Sequence, residues 1–70
     1  MEITKELLPH QQRVVDESKE LNDKIKKLGA FILDNPIFLE LEVEEQLDLK
    51  KQYDFMNKYT AILDRRISRF

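Results

Sequence analysis

What most constrains this chain is a pair of heptad seams interrupted once, at Asp34-Asn35-Pro36. The first seam runs Val14, Ser18, Leu21, Ile25, Leu28, Ile32, and the second Leu49, Tyr53, Met56, Thr60, Leu63, Ile67, Phe70. Steps alternating between four and three keep one stripe of a helix facing a partner helix. Two helices therefore follow, predicted over residues 9–34 and 43–69. Proline is tolerated in a helix's first turn, so Pro9 opens the first. Pro36 pushes Asn35 out of the α region and closes it. The expected fold is all-α: an antiparallel two-helix hairpin, coiled-coil-like, in one domain spanning residues 1–70, with a short arm at 1–8 and a connection at 35–42.

The connection carries Ile37, Phe38, Leu39 and Leu41, too many apolar side chains for a solvated loop. Phe38 and Leu39 are expected to fold back and cap the hairpin core. The alternation Leu39-Glu40-Leu41-Glu42-Val43 mimics a strand, but an isolated strand has no partner to pair with. Folding the chain at about residue 38 would bring Leu28 to Leu49, Leu21 to Met56, Val14 to Leu63 and Ser18 close to Thr60. The second helix carries Glu44 and Glu45 in its first turn and Arg65, Arg66 and Arg69 at its end, an order that suits the helix dipole. It also carries a second stripe, Gln52, Phe55, Tyr59 and Ile62, which a hairpin partner does not use. That stripe implies a further helix, and copies of the same chain are its simplest source.

Size points the same way. A chain of 8.4 kDa buries apolar surface worth on the order of 100 kcal/mol. Ordering its 70 residues costs about the same. There is no cysteine and a single histidine, so neither a disulfide nor a zinc site can close the gap. Association into a homo-oligomer remains. The net charge of -2 argues against a dedicated DNA binder. Its apolar runs are only a few residues, far short of the ~20 that span a bilayer, and no basic-then-apolar leader is present. A soluble, cytoplasmic protein without cofactor or metal is the expectation.

No nucleophile–base pair stands out, and with Gly29 as the sole glycine no phosphate loop can form. Catalysis has no positive sign in the sequence. His10, beside Pro9, reads as an exposed structural residue. Two basic clusters remain: Lys24, Lys26 and Lys27, expected to approach Lys50 and Lys51 across the hairpin, and Arg65, Arg66 and Arg69 near Gln11, Gln12 and Arg13. The plain reading is a solvated surface with compensation of the helix dipole. The functional reading is anion binding, with cations on phosphates and Tyr53 or Tyr59 stacked on a base. Gly29 costs about 1 kcal/mol in a helix relative to alanine. It marks close approach of another chain or a ligand, or it is merely tolerated.

The segment Pro9-His10-Gln11-Gln12-Arg13-Val14-Val15-Asp16-Glu17, with Lys19-Glu20-Leu21, Lys27-Leu28 and Phe31-Ile32, is one half of a pattern. Glu44-Glu45, Leu49, Gln52, Met56, Tyr59, Leu63 and Arg66-Ile67 are the other. From Pro9 onward the chain resembles small phage and prophage helical-hairpin proteins, labelled crAssphage-related, and the anti-CBASS cyclic-oligonucleotide sponges. The resemblance implies a compact homo-hexamer that holds cyclic di- or trinucleotides in pockets between protomers and does no chemistry. It implies a phage-encoded protein acting in the cytoplasm of an infected bacterium, where it withdraws the messenger that activates an abortive-infection effector.

Carried over residue by residue, the resemblance makes Lys27, beside Lys26, ligand-facing and Arg66 a phosphate contact, with Tyr59 as a further ligand contact. Gln12 stands where the sponges carry a stacking tyrosine, and Gly29 where they carry a small polar residue; both are departures. Two other readings compete: a module whose second apolar stripe docks on a host or phage protein, and a purely structural coiled-coil oligomer.

Overall fold

The computed structural model describes residues 6–70; residues 1–5 of the expected arm lie outside the described residues. Three helices follow in order: α1 (Pro9–Asp34), α2 (Ile37–Glu40) and α3 (Val43–Ser68). Among the described residues there is no strand. Pro9 sits in the first turn of α1, where its missing N–H is no loss. The Gln11 side-chain oxygen reaches back to accept the Leu8 N–H at 2.9 Å, occupying a donor that precedes the helix.

The long helices α1 and α3 pack against each other, and they run antiparallel. The Thr60 hydroxyl of α3 donates to Asn22 Oδ1 at 3.1 Å, while Tyr53, about two turns earlier, lies over Gly29. Rising numbers on one helix thus meet falling numbers on the other. Val14, Leu21 and Leu63 form the buried core, with Ile25, Met56, Ile67 and Phe70 packed around it. Every seam position on both helices is buried or half-buried, as heptad spacing requires.

The register is one turn away from the sequence expectation. A fold point at residue 38 would set Asn22 against residue 54 or 55, whereas it meets Thr60. The shift still leaves Val14 with Leu63, and Leu21 with Met56, in one core cluster. Its cause lies in the connection. Asn35 ends α1 in an extended conformation, and its Oδ1 accepts the Ile37 N–H at 3.0 Å, which starts a new helical turn instead of a reversal. The chain turns back only after α2, where Leu41 and Glu42 are extended. Ser18 consequently reaches Thr60 through Asn22, whose Nδ2 donates to Ser18 Oγ at 3.5 Å.

Phe38 does cap the hairpin: it is 2% exposed, meets Phe31 edge-to-face at 6.0 Å and has the Lys50 ammonium 5.8 Å above its ring. Leu39 does not, being 78% exposed. Residues adjacent on a helix point about 100° apart, so α2 can turn one of the two inward.

Candidate functional site

Contact between Gly29 and Tyr53 defines one flank of the hairpin. A Cβ placed on Gly29 would lie 3.0 Å from Tyr53 Cε1 and 3.2 Å from its hydroxyl, so the glycine is the seat of that ring. The close approach is to the chain's own second helix. Two residues along a helix turn the side chain by about 200°. Lys27 and Phe55, each two residues from this pair, therefore come to the opposite flank, level with one another.

That opposite flank carries the second stripe of α3. Phe55, Tyr59 and Ile62 are all exposed, Phe55 by 65%, and Arg66 continues the same face one turn on. A shallow groove of about 520 Å³, lined by Asp48, Lys51, Gln52, Phe55, Met56 and Tyr59, lies along it. Lys27 borders a second shallow cleft of about 630 Å³ with Ala30, Phe31, Asp34, Asn35 and Pro36, at the closed end of the hairpin. The strip thus runs from the level of Lys27, which lines the other cleft, to Arg66, with Lys51 lining its own groove. Lys27 stands level with Phe55, and Arg66 lies eleven residues further, about 16 Å along the axis. One chain cannot close both cations on a single phosphate.

The remaining candidates separate. Gln12 lies nine residues from the core Leu21, half a rotation away, and its amide donates to Asp16 Oδ1 at 3.0 Å on the outer face. Lys26 is exposed and turned away from the seam. The expected lysine cluster is divided by the register shift. Lys24, Lys26 and Lys27 stand level with residues 55–58, and Lys50 turns to the Phe38 ring. Arg65, Arg66 and Arg69 stand level with residues 13–17, close to where the sequence puts them. Among the described residues one ion pair forms, Lys58 with Asp54 at 3.2 Å. His10 is exposed, and no group of three or more His, Cys, Asp or Glu among the described residues is placed to hold a metal.

One feature could not be read from spacing. Gln46 donates to the Leu41 carbonyl at 2.8 Å and to that of Leu39 at 3.4 Å, tying the connection to α3. Only the path of the connection could reveal it. Phe55 as a partner of Tyr59 was legible in the second stripe, since both lie on one helical face.

A protein-family model described as Sequestin matches residues 8–69. No curated protein and no solved structure matches the chain. The family match bears on the sequestering half of the resemblance and lends nothing to the crAssphage-related grouping. With the whole of both long helices inside the matched span, this chain belongs to the Sequestin family.

Proposed function

We propose that this protein sequesters a nucleotide second messenger, holding it between protomers of a homo-oligomer and leaving it chemically unchanged. The observation that carries this reading is the exposed strip Phe55–Tyr59–Ile62, running from the level of Lys27 to Arg66, in a chain whose family is named for sequestration. Aromatic rings stack on bases at about 1–3 kcal/mol each, and guanidinium and ammonium groups grip phosphates. Because the two cations are about 16 Å apart in one chain, a complete pocket needs groups from a neighbour.

Lys27 and Arg66 are assigned to phosphates, with Lys26 in support, and Tyr59 to a base. Gly29 acts through Tyr53, whose position it allows. Gln12 belongs to the pocket only if a neighbouring chain brings it there. The resemblance narrows the messenger to a cyclic di- or trinucleotide of bacterial antiviral signalling, the assembly to a hexamer and the setting to the cytoplasm of an infected host. Nothing in the reading calls for a catalytic residue, a metal or a cofactor.

Thermal denaturation against a panel of cyclic di- and trinucleotides, with linear nucleotides alongside, tests it. A ligand at 100 times its dissociation constant stabilises by about 2.7 kcal/mol, which for a chain of this size is a rise of several degrees. The shift should shrink with Lys27→Ala and with Arg66→Ala, each losing roughly tenfold or more in affinity. A folded oligomer that shifts with no nucleotide overturns the reading and directs attention to a protein partner for the same strip.

A further inference from the structure

The outer face of α3 is ordered by charge as well as by polarity. Reading along that face, Glu44 and Asp48 come first with Lys51 beside them, then Phe55, Tyr59 and Ile62, then Arg66 and Arg69. All eight are exposed in the single chain. Both carboxylates precede the apolar strip and both arginines follow it, with Asp48 and Arg66 about 27 Å apart along the axis. Neither has an ion-pair partner among the described residues, where the only pair is Lys58–Asp54.

Such a face is complementary to itself in one alignment. An isologous contact sets residue i against residue j and j against i about a two-fold axis. Asp48 and Arg66 are centred on Asn57, and so are Phe55 and Tyr59. Glu44 and Arg69, outside them, are centred within a residue of the same point. Charges and aromatic rings therefore agree on one axis, although they were not constrained to. A parallel alignment would instead stack Asp48 on Asp48 and Arg66 on Arg66, which costs energy. The antiparallel one also opposes the two helix dipoles.

We infer that α3 docks antiparallel on α3 of a second copy of this chain about a two-fold axis near Asn57. Phe55 then lies over the partner's Tyr59, and Asp48 pairs with the partner's Arg66. The groove beside Phe55, about 520 Å³ and lined by Asp48, Lys51, Gln52, Met56 and Tyr59 as well, receives the partner's aromatic ring. Helices in such contact approach to about 8–10 Å, which suits interdigitated aromatic side chains. This specifies the oligomer on which the sequestering reading rests, though its grounds are the α3 face alone. Arg66 has five N–H donors, so a pair with a carboxylate leaves others for a phosphate at the same boundary.

Charge exchange followed by sedimentation, in the absence of nucleotide, tests the contact. Asp48→Arg and Arg66→Asp should each lower the sedimenting mass at least about twofold, as loss of a two-fold contact requires, with helicity by circular dichroism retained. The double variant carrying both substitutions should recover the wild-type mass. An equimolar mixture of the two single variants should also re-associate, because each then meets its opposite charge. Phe55→Glu should dissociate the contact with no rescue. Three results overturn the inference: a monomeric wild-type chain, single variants that keep the wild-type mass, or singles that dissociate without recovery in the double or the mixture. None of these depends on ligand; the second and third leave the sequestering reading standing where a nucleotide-induced shift is still lost in Lys27→Ala, whereas a monomeric chain removes both.

Discussion

At the scale of single residues, Gly29 shows how a cost in one helix serves the packing of two. Its Cβ-free surface lets Tyr53 lie within contact distance, 3.0 Å from where a methyl group would stand. Alanine there would gain about 1 kcal/mol of helix propensity and must displace the ring. We expect Gly29→Ala to deliver clearly less than that gain in the wild type and the whole of it in a Tyr53→Ala background. Urea denaturation of the four chains measures the difference as a coupling energy. Equal effects in both backgrounds would mean that the ring yields freely and the glycine has another purpose. The spacing of the seam identified Tyr53 as inward-facing, but not that Gly29 would be its seat. A glycine has no side chain to contribute to a hydrophobic pattern, so its partner depends wholly on register.

Among the elements, α2 decides the geometry of the molecule while being its smallest part. Asn35 starts it, Gln46 fastens its exit and Phe38 anchors it in the core. Replacing Phe38, 2% exposed, with alanine should cost about 3–5 kcal/mol. That is a large share of the stability of a small domain. The neighbouring Leu39→Ala, at a position 78% exposed, should lie within about 0.5 kcal/mol of wild type. Chemical denaturation of the two variants, compared side by side, distinguishes them; similar losses would show that Leu39 is covered in solution. The sequence marked both residues as apolar members of the connection. It did not separate them, because their opposite fates follow from a helical turn only four residues long.

For the molecule as a whole, the shape is that of a component. Its extents are 55 × 18 × 16 Å and its radius of gyration 16.2 Å, against ~11 Å for a compact chain of this length. It exposes 5970 Å², where a compact protein of its mass would expose ~4,600 Å². Four apolar side chains are buried among the described residues, Val14, Leu21, Phe38 and Leu63, and hydrophobic burial scales with area removed from water. Such a hairpin should gain stability from association, so its melting temperature should rise with protein concentration. Scans across a hundredfold dilution series would show it. A concentration-independent midpoint would mean that the thin intramolecular core suffices.

By itself the sequence determined that the chain is helical, where its long helices begin and end, and which stripe of each faces the other. Those properties are local or periodic: proline geometry, the asparagine turn and a repeat of four and three act over a few residues. It also exposed the second stripe of α3, since two stripes on one helix cannot both serve one partner. Tertiary structure alone decided the register, the seat of Tyr53, the outward turn of Leu39, the dispersal of the lysine cluster and the placement of Lys27 on the flank of Phe55. Each of these depends on where the chain reverses. Asn35 and Gln46 postpone that reversal by one helical turn, and a heptad seam slipped by one turn still matches apolar to apolar, so periodicity could not choose between the two.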